Sequence, residues 1–147
     1  MREHAQDSIL LRSLAEFRHE LRSFLHFSES AALKAGLQPQ QHQLLLQVAG
    51  APDETSVTIA YAAGRLGLRH NSTVELVDRS EREGLLSRVA DNEDRRRAIL
   101  RVTGKGRRIL NRLSSDHARE LNEMAPHLIE VLKQVRKHSL AQAVAEE

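Results

Sequence analysis

Apolar side chains recur every three or four positions over the first quarter of the chain. This spacing is typical of an α-helix that buries one face, and it predicts a helix over about residues 8–35. The apolar positions of that face are Leu10, Leu14, Phe17, Leu21, Phe24, Leu25, Ala31 and Ala32. We expect Gly36 to end the helix, because glycine readily adopts the left-handed conformation that closes a helix.

Three shorter helices are predicted in the middle of the chain, at about residues 39–48, 56–65 and 72–83. Pro39 suits the first position of a helix, where a backbone N–H has no partner in any case. Residues 66–68 (Leu-Gly-Leu) provide a tight turn before the last of the three. We expect Asn71 or Ser72 to cap this fourth helix of the chain and Gly84 to end it.

A β-hairpin and two further helices are predicted in the last part of the chain. The strands lie at about residues 85–89 and 98–102, and a polar loop over residues 90–97 joins them. Thr103 is expected to cap a helix that runs to about residue 123, and Pro126 to begin another. The apolar positions of these helices are Ile109, Leu110, Leu113, Leu121, Met124, Leu128, Val131, Leu132, Val135 and Leu140.

This order of elements predicts a mainly α, or α+β, fold with three parts. They are an N-terminal dimerisation helix over residues 1–38, a winged helix-turn-helix core over residues 39–102, and C-terminal dimerisation helices over residues 103–147. The core can bury its own small hydrophobic centre, whereas the apolar faces of the terminal helices lack a covering surface in the same chain. We therefore expect a homodimer in which the terminal helices of two chains intertwine.

The charge of the chain is unevenly distributed. Of the 22 Lys and Arg residues, 12 lie between residues 55 and 110, against 7 of the 20 Asp and Glu residues. A basic middle segment between acidic flanks indicates a polyanionic partner, and double-stranded DNA is the polyanion that a helix-turn-helix core binds.

Missing residue types and motifs narrow the classes of function. The chain has no cysteine, which excludes disulfides, thiolate zinc sites and thiol redox sensing. It has no Gly-x-Ser-x-Gly, no His-Glu-x-x-His and no phosphate-binding glycine loop, so we expect neither an enzyme nor a bound cofactor. The mixed charges of the first seven residues do not fit a signal peptide, and no apolar run reaches the roughly 18 residues of a membrane span. We expect a cytoplasmic protein.

The fourth helix is predicted to present one polar face to DNA. Ser72, Glu75, Leu76 and Arg79 share that face by helical spacing, and Val74 and Val77 point inward. We expect the hydroxyl groups of Ser72 and Thr73 to contact phosphate oxygens and Leu76 to contact a thymine methyl group. Arg79 can reach a phosphate or a guanine edge. Glu75 either accepts a hydrogen bond from a cytosine amino group or holds a neighbouring arginine, Arg79 or Arg82, in place.

The loop of the hairpin carries Arg95, Arg96 and Arg97 in succession. We expect Arg95 to project from the tip into the minor groove, where a narrow A·T-rich stretch attracts a guanidinium group. Asp91 or Asp94 is expected to pair with another of these arginines and to fix the shape of the loop. The full set predicted to contact DNA is Arg69, His70, Asn71, Ser72, Thr73, Glu75, Leu76, Arg79, Arg88, Asp94, Arg95, Arg96 and Arg97.

The order of short motifs in this segment resembles the MarR (multiple antibiotic resistance regulator) family of bacterial transcription factors. The matching stretches are Leu66-Gly67-Leu68, Ser72-Thr73-Val74, Leu76-Val77-Asp78-Arg79, Gly84-Leu85, Asp91 with Asp94-Arg95-Arg96, and Thr103 with Gly106. The terminal helices around a winged core are also similar, so the resemblance covers nearly the whole chain. It implies a repressor that a ligand releases from its operator. Because the expected homodimer is two-fold symmetric, we expect that operator to be pseudo-palindromic. Ser80 departs from the pattern, because an aliphatic residue usually stands there.

The resemblance also implies a ligand cleft for small phenolic or aromatic acids between the dimerisation helices and the core. Phe17, Phe24 and Phe27 lie on one side of the first helix, where they either line such a cleft or form part of the dimer core. Arg18 either meets a ligand carboxylate or is an ordinary exposed arginine.

Two other functions fit parts of the sequence. Four His/Glu pairs at helical spacing could chelate a metal ion in a metal-responsive regulator, although such pairs are commonly solvated charge partners. These pairs are Glu16/His19, His26/Glu29, His117/Glu120 and His127/Glu130. The sequence alone assigns none of them as a metal site. A helical interaction protein whose winged domain binds a protein partner is the other alternative, and it leaves the arginine-rich loop unexplained.

Overall fold

The computed structural model describes residues 1–146, and for Arg2 and Glu3 it describes the backbone only. Its elements are α1 (Arg2–Lys34), α2 (Pro39–Ala49), α3 (Ile59–Leu66), α4 (His70–Arg82), β1 (Leu86–Ala90), β2 (Ala98–Val102) and α5 (Gly104–Ala145). The predicted combination of helices with a two-stranded hairpin is confirmed. None of the described helices has a stretch apolar enough to cross a lipid bilayer.

The chain divides into two compact units. The central unit comprises residues 29–115, and the terminal unit comprises residues 1–28 together with residues 116–147. The long helices α1 and α5 each contribute residues to both units. The predicted core of residues 39–102 lies within the central unit, which also takes in the last turns of α1 and the first turns of α5.

The hydrophobic core of the central unit lies between α2, α4 and the hairpin. Leu44 and Leu45 from α2, Val77 from α4, and Leu86 and Leu100 from the strands are each at most 2% exposed. Burying each of these side chains contributes roughly 1.5–3 kcal/mol relative to leaving it in water. The core therefore fixes the position of α4 against the hairpin, which is the arrangement on which a DNA-binding surface depends.

The hairpin forms as predicted, with its first strand displaced by one residue toward the C-terminus. The strands are antiparallel, with Leu86 opposite Val102 and Ala90 opposite Ala98. The backbone N–H of Leu100 also donates to the carbonyl of Val57 at 2.8 Å, so the segment before α3 hydrogen-bonds to the outer side of β2.

The start of α4 corrects one prediction. The helix begins at His70 with Arg69 as its N-cap, so Asn71 and Ser72 lie inside the helix and do not cap it. The turn before it is shorter than predicted. Gly67 adopts a left-handed conformation with φ of 65°, and the N–H of Leu68 donates to the Ala63 carbonyl at 3.0 Å. Because the turn closes so early, the next helix begins ahead of the polar residues that were expected to cap it.

The C-terminal part of the chain also differs from the prediction. The predicted new helix at Pro126 is wrong, because α5 continues through this residue as one helix of 42 residues. A proline inside a helix removes one backbone hydrogen bond and crowds the preceding turn. Apolar residues nevertheless keep the same helical spacing beyond it, and Val131 is 6% exposed. Burial of this face therefore favours continuing the helix over ending it.

The first turn of α5 is tied closely to the segment that joins α4 to β1. The hydroxyl of Thr103 accepts from the N–H of Gly106 at 3.1 Å, as predicted for a cap, and donates to the carbonyl of Gly84 at 2.6 Å. A β-carbon placed on Gly106 would lie 2.3 Å from the carbonyl oxygen of Leu85. Only glycine therefore permits this approach of α5 to the hairpin.

We expect Gly106→Ala to destabilise the protein by about 1–3 kcal/mol, the usual cost of forcing an extra carbon into a packed site. Gly104→Ala is the matched control in the same helix, because a β-carbon there meets only the Arg108 side chain at 3.5 Å. The control should be neutral or stabilising by up to about 1 kcal/mol. Urea unfolding at one protein concentration measures both, and an equal loss in the two variants would contradict the close approach.

Candidate nucleic-acid interface

The exposed side of α4 forms one continuous polar face. It consists of Asn71, Ser72, Glu75, Arg79 and Arg82, all of them exposed to solvent. Residues three, four and seven positions apart share one side of a helix, so these side chains stand in line. The predicted exposure of Ser72, Glu75 and Arg79 is confirmed, and Arg69 and His70 lie exposed at the N-terminal end of the same helix.

Two residues predicted for this face lie on the opposite side of the helix. Leu76 is 3% exposed and Thr73 is fully buried, so Leu76 cannot reach a thymine methyl group from the outer face. The Thr73 hydroxyl donates to the Arg69 carbonyl at 2.9 Å instead of facing a phosphate. Both residues share the buried inner face of α4 with Val77. Each residue turns the helix by about 100°, so an error of one position in assigning the outer face is enough to place a buried residue on it.

Ser80 also belongs to the buried face of α4. Its side chain is fully buried, and its hydroxyl donates to the Leu76 carbonyl at 2.8 Å. A buried hydroxyl without a partner would be costly, whereas one bonded to the preceding turn of its own helix is satisfied. The serine therefore fits a site where an aliphatic side chain was expected.

Glu75 lies on the outer face of α4. One of its two predicted roles was to hold a neighbouring arginine in place through an ion pair. Among the described residues, neither Arg79 nor Arg82 forms an ion pair with it, although both are exposed on the same helix. Its carboxylate is therefore available as an acceptor beside two cationic side chains.

Arg88 braces the hairpin against α4. Its guanidinium group forms an ion pair with Asp78 of α4, and its Nε lies 3.6 Å from Glu81 Oε2 one turn further along. The Arg88 side chain is 30% exposed. The prediction that Arg88 contacts DNA stays a prediction, and the structure adds that its charge is engaged by two carboxylates of α4. Only the relative placement of α4 and β1 reveals this pairing.

The loop between the strands, residues 91–97, is closed by Asp91. This largely buried carboxylate accepts from the N–H of Glu93 at 3.1 Å and from Arg97 Nε at 2.5 Å. The N–H of Asp91 donates to the carbonyl of Arg97 at 3.3 Å, which closes the loop from the other side. The Glu93 N–H, followed by the Arg97 guanidinium, holds the pKa of Asp91 below its ordinary value of 3.8. Arg97 therefore has a structural role.

Asp94 orders the tip of the same loop. Its carboxylate accepts from the N–H of Arg96 at 3.0 Å and lies 3.7 Å from Arg96 Nε. The Arg96 side chain is 96% exposed, and Arg95 beside it is also exposed. The prediction that an aspartate pairs with an arginine is confirmed for Asp91 and for Asp94. The loop thus presents Arg95 and Arg96 outward from a fixed base.

Gln41 is a positioning residue that the sequence did not reveal. It is 1% exposed, and its Nε2 donates to Glu83 Oε2 at 2.8 Å, which links α2 to the C-terminal end of α4. Lys105 Nζ donates to the Glu83 carbonyl at 2.9 Å from the first turn of α5. In the sequence, the position of Gln41 on its helix looks the same as that of an ordinary solvated glutamine. No local pattern therefore predicts its contact with Glu83.

The residues predicted to meet a ligand all belong to the terminal unit. Phe24 and Phe27 pack edge-on against the ring of His117, with ring centres 5.8 and 5.2 Å away. His117 Nε2 also lies 2.8 Å from the Ser28 hydroxyl. Phe17 is half-buried and Arg18 is exposed, and neither has an aromatic contact with this group among the described residues. The structure thus brings together two of the four residues, around a histidine.

Comparison with known proteins identifies one family. Residues 35–97 match the family model described as MarR family, and this segment contains α2, α3, α4, β1 and the loop. The match places the chain among transcription regulators and not among enzymes. No protein with a curated function matches this sequence.

Solved structures of the same family share the fold. A MarR family transcription regulator superposes with a TM-score of 0.73 at 19% identity, covering 98% of this chain and 92% of the other. A MarR family protein from Bacillus stearothermophilus gives a TM-score of 0.65 at 24% identity, with 91% and 96% covered. S. aureus MepR in complex with DNA gives 0.65 at 19% identity, with 90% and 96% covered.

We expect Asp91→Asn to loosen the loop, because it removes the charge that holds Arg97. Amide order parameters of residues 92–97 should fall from about 0.85 toward about 0.6, while those of α4 stay unchanged. Asp94→Asn, in the same loop, is the control and should leave the base of the loop ordered. Equal loosening by both variants would remove the special role of Asp91.

The pKa of Asp91 also predicts a pH dependence. The lowered pKa means that its ionised form stabilises the folded loop at every pH above the ordinary value of 3.8. That contribution should be lost as the pH falls through the lowered folded pKa. An NMR titration of the Asp91 carboxyl carbon should therefore show a midpoint below 3.8, and a midpoint at or above that value would contradict the pairing.

Proposed function

Because this chain belongs to the MarR family of transcription regulators, we propose that it is a homodimeric repressor that binds a pseudo-palindromic operator and leaves it when a small ligand binds. The observation that carries the proposal is the pairing of two surfaces within one rigid core. The buried core packs α4 against the hairpin, so the polar outer face of α4 and the loop that carries the outward arginines belong to one packed unit.

In the proposed complex, α4 lies in the major groove and the loop enters the adjacent minor groove. The first turn of α4 offers unpaired backbone N–H groups and the side chains of Asn71 and Ser72 to phosphate oxygens. Arg79 then faces the base edges, where a guanidinium recognises guanine. Glu75 is the acceptor of this face and suits the amino group of cytosine.

The loop contributes Arg95 and Arg96 to the complex. A guanidinium group is drawn to a narrow A·T-rich minor groove by the potential of that groove. Arg97 and Arg88 support this surface by fixing its shape, since Arg97 is held by Asp91 of the loop and Arg88 by Asp78 and Glu81 of α4. Arg69 and His70 at the start of α4 complete the proposed contacts with the DNA backbone.

Arg95→Ala should weaken operator binding by about 1–3 kcal/mol if the side chain makes a groove contact. The loss should be larger on operators with A·T-rich flanks than with G·C-rich flanks, because the narrow groove supplies the attraction. Arg136→Ala is the charge-matched control, since it removes an arginine from the terminal unit. Fluorescence anisotropy on DNA fragments selected by the purified protein measures both.

Salt separates this proposal from the alternative of a protein partner. With about 6–10 phosphate contacts per dimer, affinity should fall by roughly 10³–10⁵ between about 50 and 200 mM salt. If the protein does not bind DNA, or if its affinity for DNA does not change with salt, the alternative of a winged domain that binds a protein partner would be favoured.

The terminal unit supports the proposed dimer. Most of the exposed large apolar side chains among the described residues lie in this unit, namely Ile9, Leu11, Leu14, Leu21, Leu25, Leu121, Ile129, Leu132, Leu140 and Val144. Covering apolar surface yields roughly 25 cal/mol per Å². Two-fold pairing with a second copy is the commonest way to cover such a surface, and it would place two α4 helices on one side of the DNA.

A two-fold dimer should require half-sites whose centres lie about 10 base pairs apart, so that each α4 enters a successive major groove. Inserting about half a helical turn of DNA, roughly five base pairs, should nearly abolish specific binding because one half-site rotates to the far side. Changing the same number of spacer bases without changing the length is the control. Sedimentation as a monomer with undiminished binding to a single half-site would contradict the dimer.

The proposed ligand is a small aromatic or phenolic compound. CouR from Rhodococcus jostii RHA1, whose crystal structure has p-coumaroyl-CoA bound, superposes with a TM-score of 0.64 at 24% identity over 84% of both chains. In this chain the rings of Phe24 and Phe27 around His117 supply aromatic edges of the kind that such a compound stacks against. Phe17 and Arg18 remain candidates on the same helix.

A further inference from the structure

Three potential metal ligands meet in the terminal unit, and none of them is among the residues assigned to DNA. They are Glu16 and Glu20 of α1 and His127 of α5, and one donor atom from each lies within 4.8 Å of the other two. Glu16 Oε2 is 3.2 Å from His127 Nε2. The two glutamates are one helical turn apart, so their carboxylates project from the same side of α1.

An ordinary ion pair explains only part of this cluster. His127 contacts Glu16, but Glu20 forms no ion pair with Lys, Arg or His within the described part of the chain. Like charges at this helical spacing destabilise each other. Two adjacent carboxylates and one imidazole therefore form a group with an unbalanced negative charge and a ready nitrogen donor.

We propose that Glu16, Glu20 and His127 bind one divalent transition-metal ion of the zinc class. Zinc accepts imidazole nitrogen and carboxylate oxygen at about 2.0–2.2 Å, which places tetrahedral ligands about 3.4 Å from one another. The Glu16–His127 separation already meets this spacing, and rotation of the Glu20 side chain brings its carboxylate within range. Water takes the fourth position.

The donor set selects the class of ion. An imidazole ligand favours zinc and its neighbours over magnesium and calcium, which prefer an all-oxygen environment. Two carboxylates balance the charge of a divalent ion. This site also differs from the His/Glu pairs visible in the sequence, because Glu16 finds its histidine 111 positions away and on another helix.

A bound ion would join α1 to α5 inside the terminal unit. Anything that binds the folded state and not the unfolded state stabilises the fold by mass action. The ion would thereby hold together the two helical segments whose exposed apolar side chains are proposed to form the dimer. Its binding can be measured without DNA, so the outcome is independent of the proposed function.

The test is calorimetric titration of the full-length protein with zinc, with Glu20→Gln as the deciding variant. An ion pair between Glu16 and His127 does not need Glu20, whereas a metal site does. We expect one tight site per chain, and affinity at least about tenfold weaker in Glu20→Gln and in His127→Ala. His26→Ala, an exposed histidine of α1 outside the cluster, should bind zinc as tightly as the unchanged protein.

A second measurement guards against variants that disturb the fold. Zinc should raise the unfolding temperature of the unchanged protein and of His26→Ala, and should raise it less in Glu20→Gln, whose own unfolding temperature reports any damage. Zinc affinity that is unchanged by Glu20→Gln, or equal affinity for magnesium, would overturn the proposal.

Discussion

The backbone of Leu85 is the point on which the central unit depends. Its N–H donates to the carbonyl of Ser80 at the end of α4, and its carbonyl accepts from the N–H of Thr103 just before α5. The absence of a side chain on Gly106 allows α5 to approach this carbonyl directly. The end of α4, the start of the hairpin and the start of α5 are therefore fixed by one residue, and the outer face of α4 is fixed with them.

Carboxylates divide the arginines of this surface into two groups. Arg88 and Arg97 are engaged by aspartates and, in the case of Arg88, by a further glutamate, so their charges shape the surface. Arg95 and Arg79 form no such ion pairs among the described residues and project into solvent. A count of basic residues along the sequence treats all four alike, whereas the structure distinguishes those that hold the loop from those that can meet a phosphate.

The sequence predicted the features that depend on near neighbours. Thr103 as a cap and the polar loop followed from local spacing and were confirmed. The errors at Pro126 and Leu76 arose where packing between distant segments determines the local structure. Burial of its apolar face keeps α5 helical through Pro126, and burial also places Leu76 in the core. Contacts between distant segments, such as Gln41 with the end of α4, leave no local pattern. The proposed metal ligands belong to the same class.

The closed loop of residues 91–97 has a consequence for the timing of recognition. Asp91 and Asp94 order this loop in the free protein, so little conformational entropy remains to be lost when it enters a groove. When the binding surface is already ordered, the rate of association is limited mainly by diffusion and by the orientation of the two molecules. This rate differs little from one DNA sequence to another. Discrimination between DNA sites then depends on the lifetime of each complex, and the protein, once released from one site, can bind the next stretch of DNA at once.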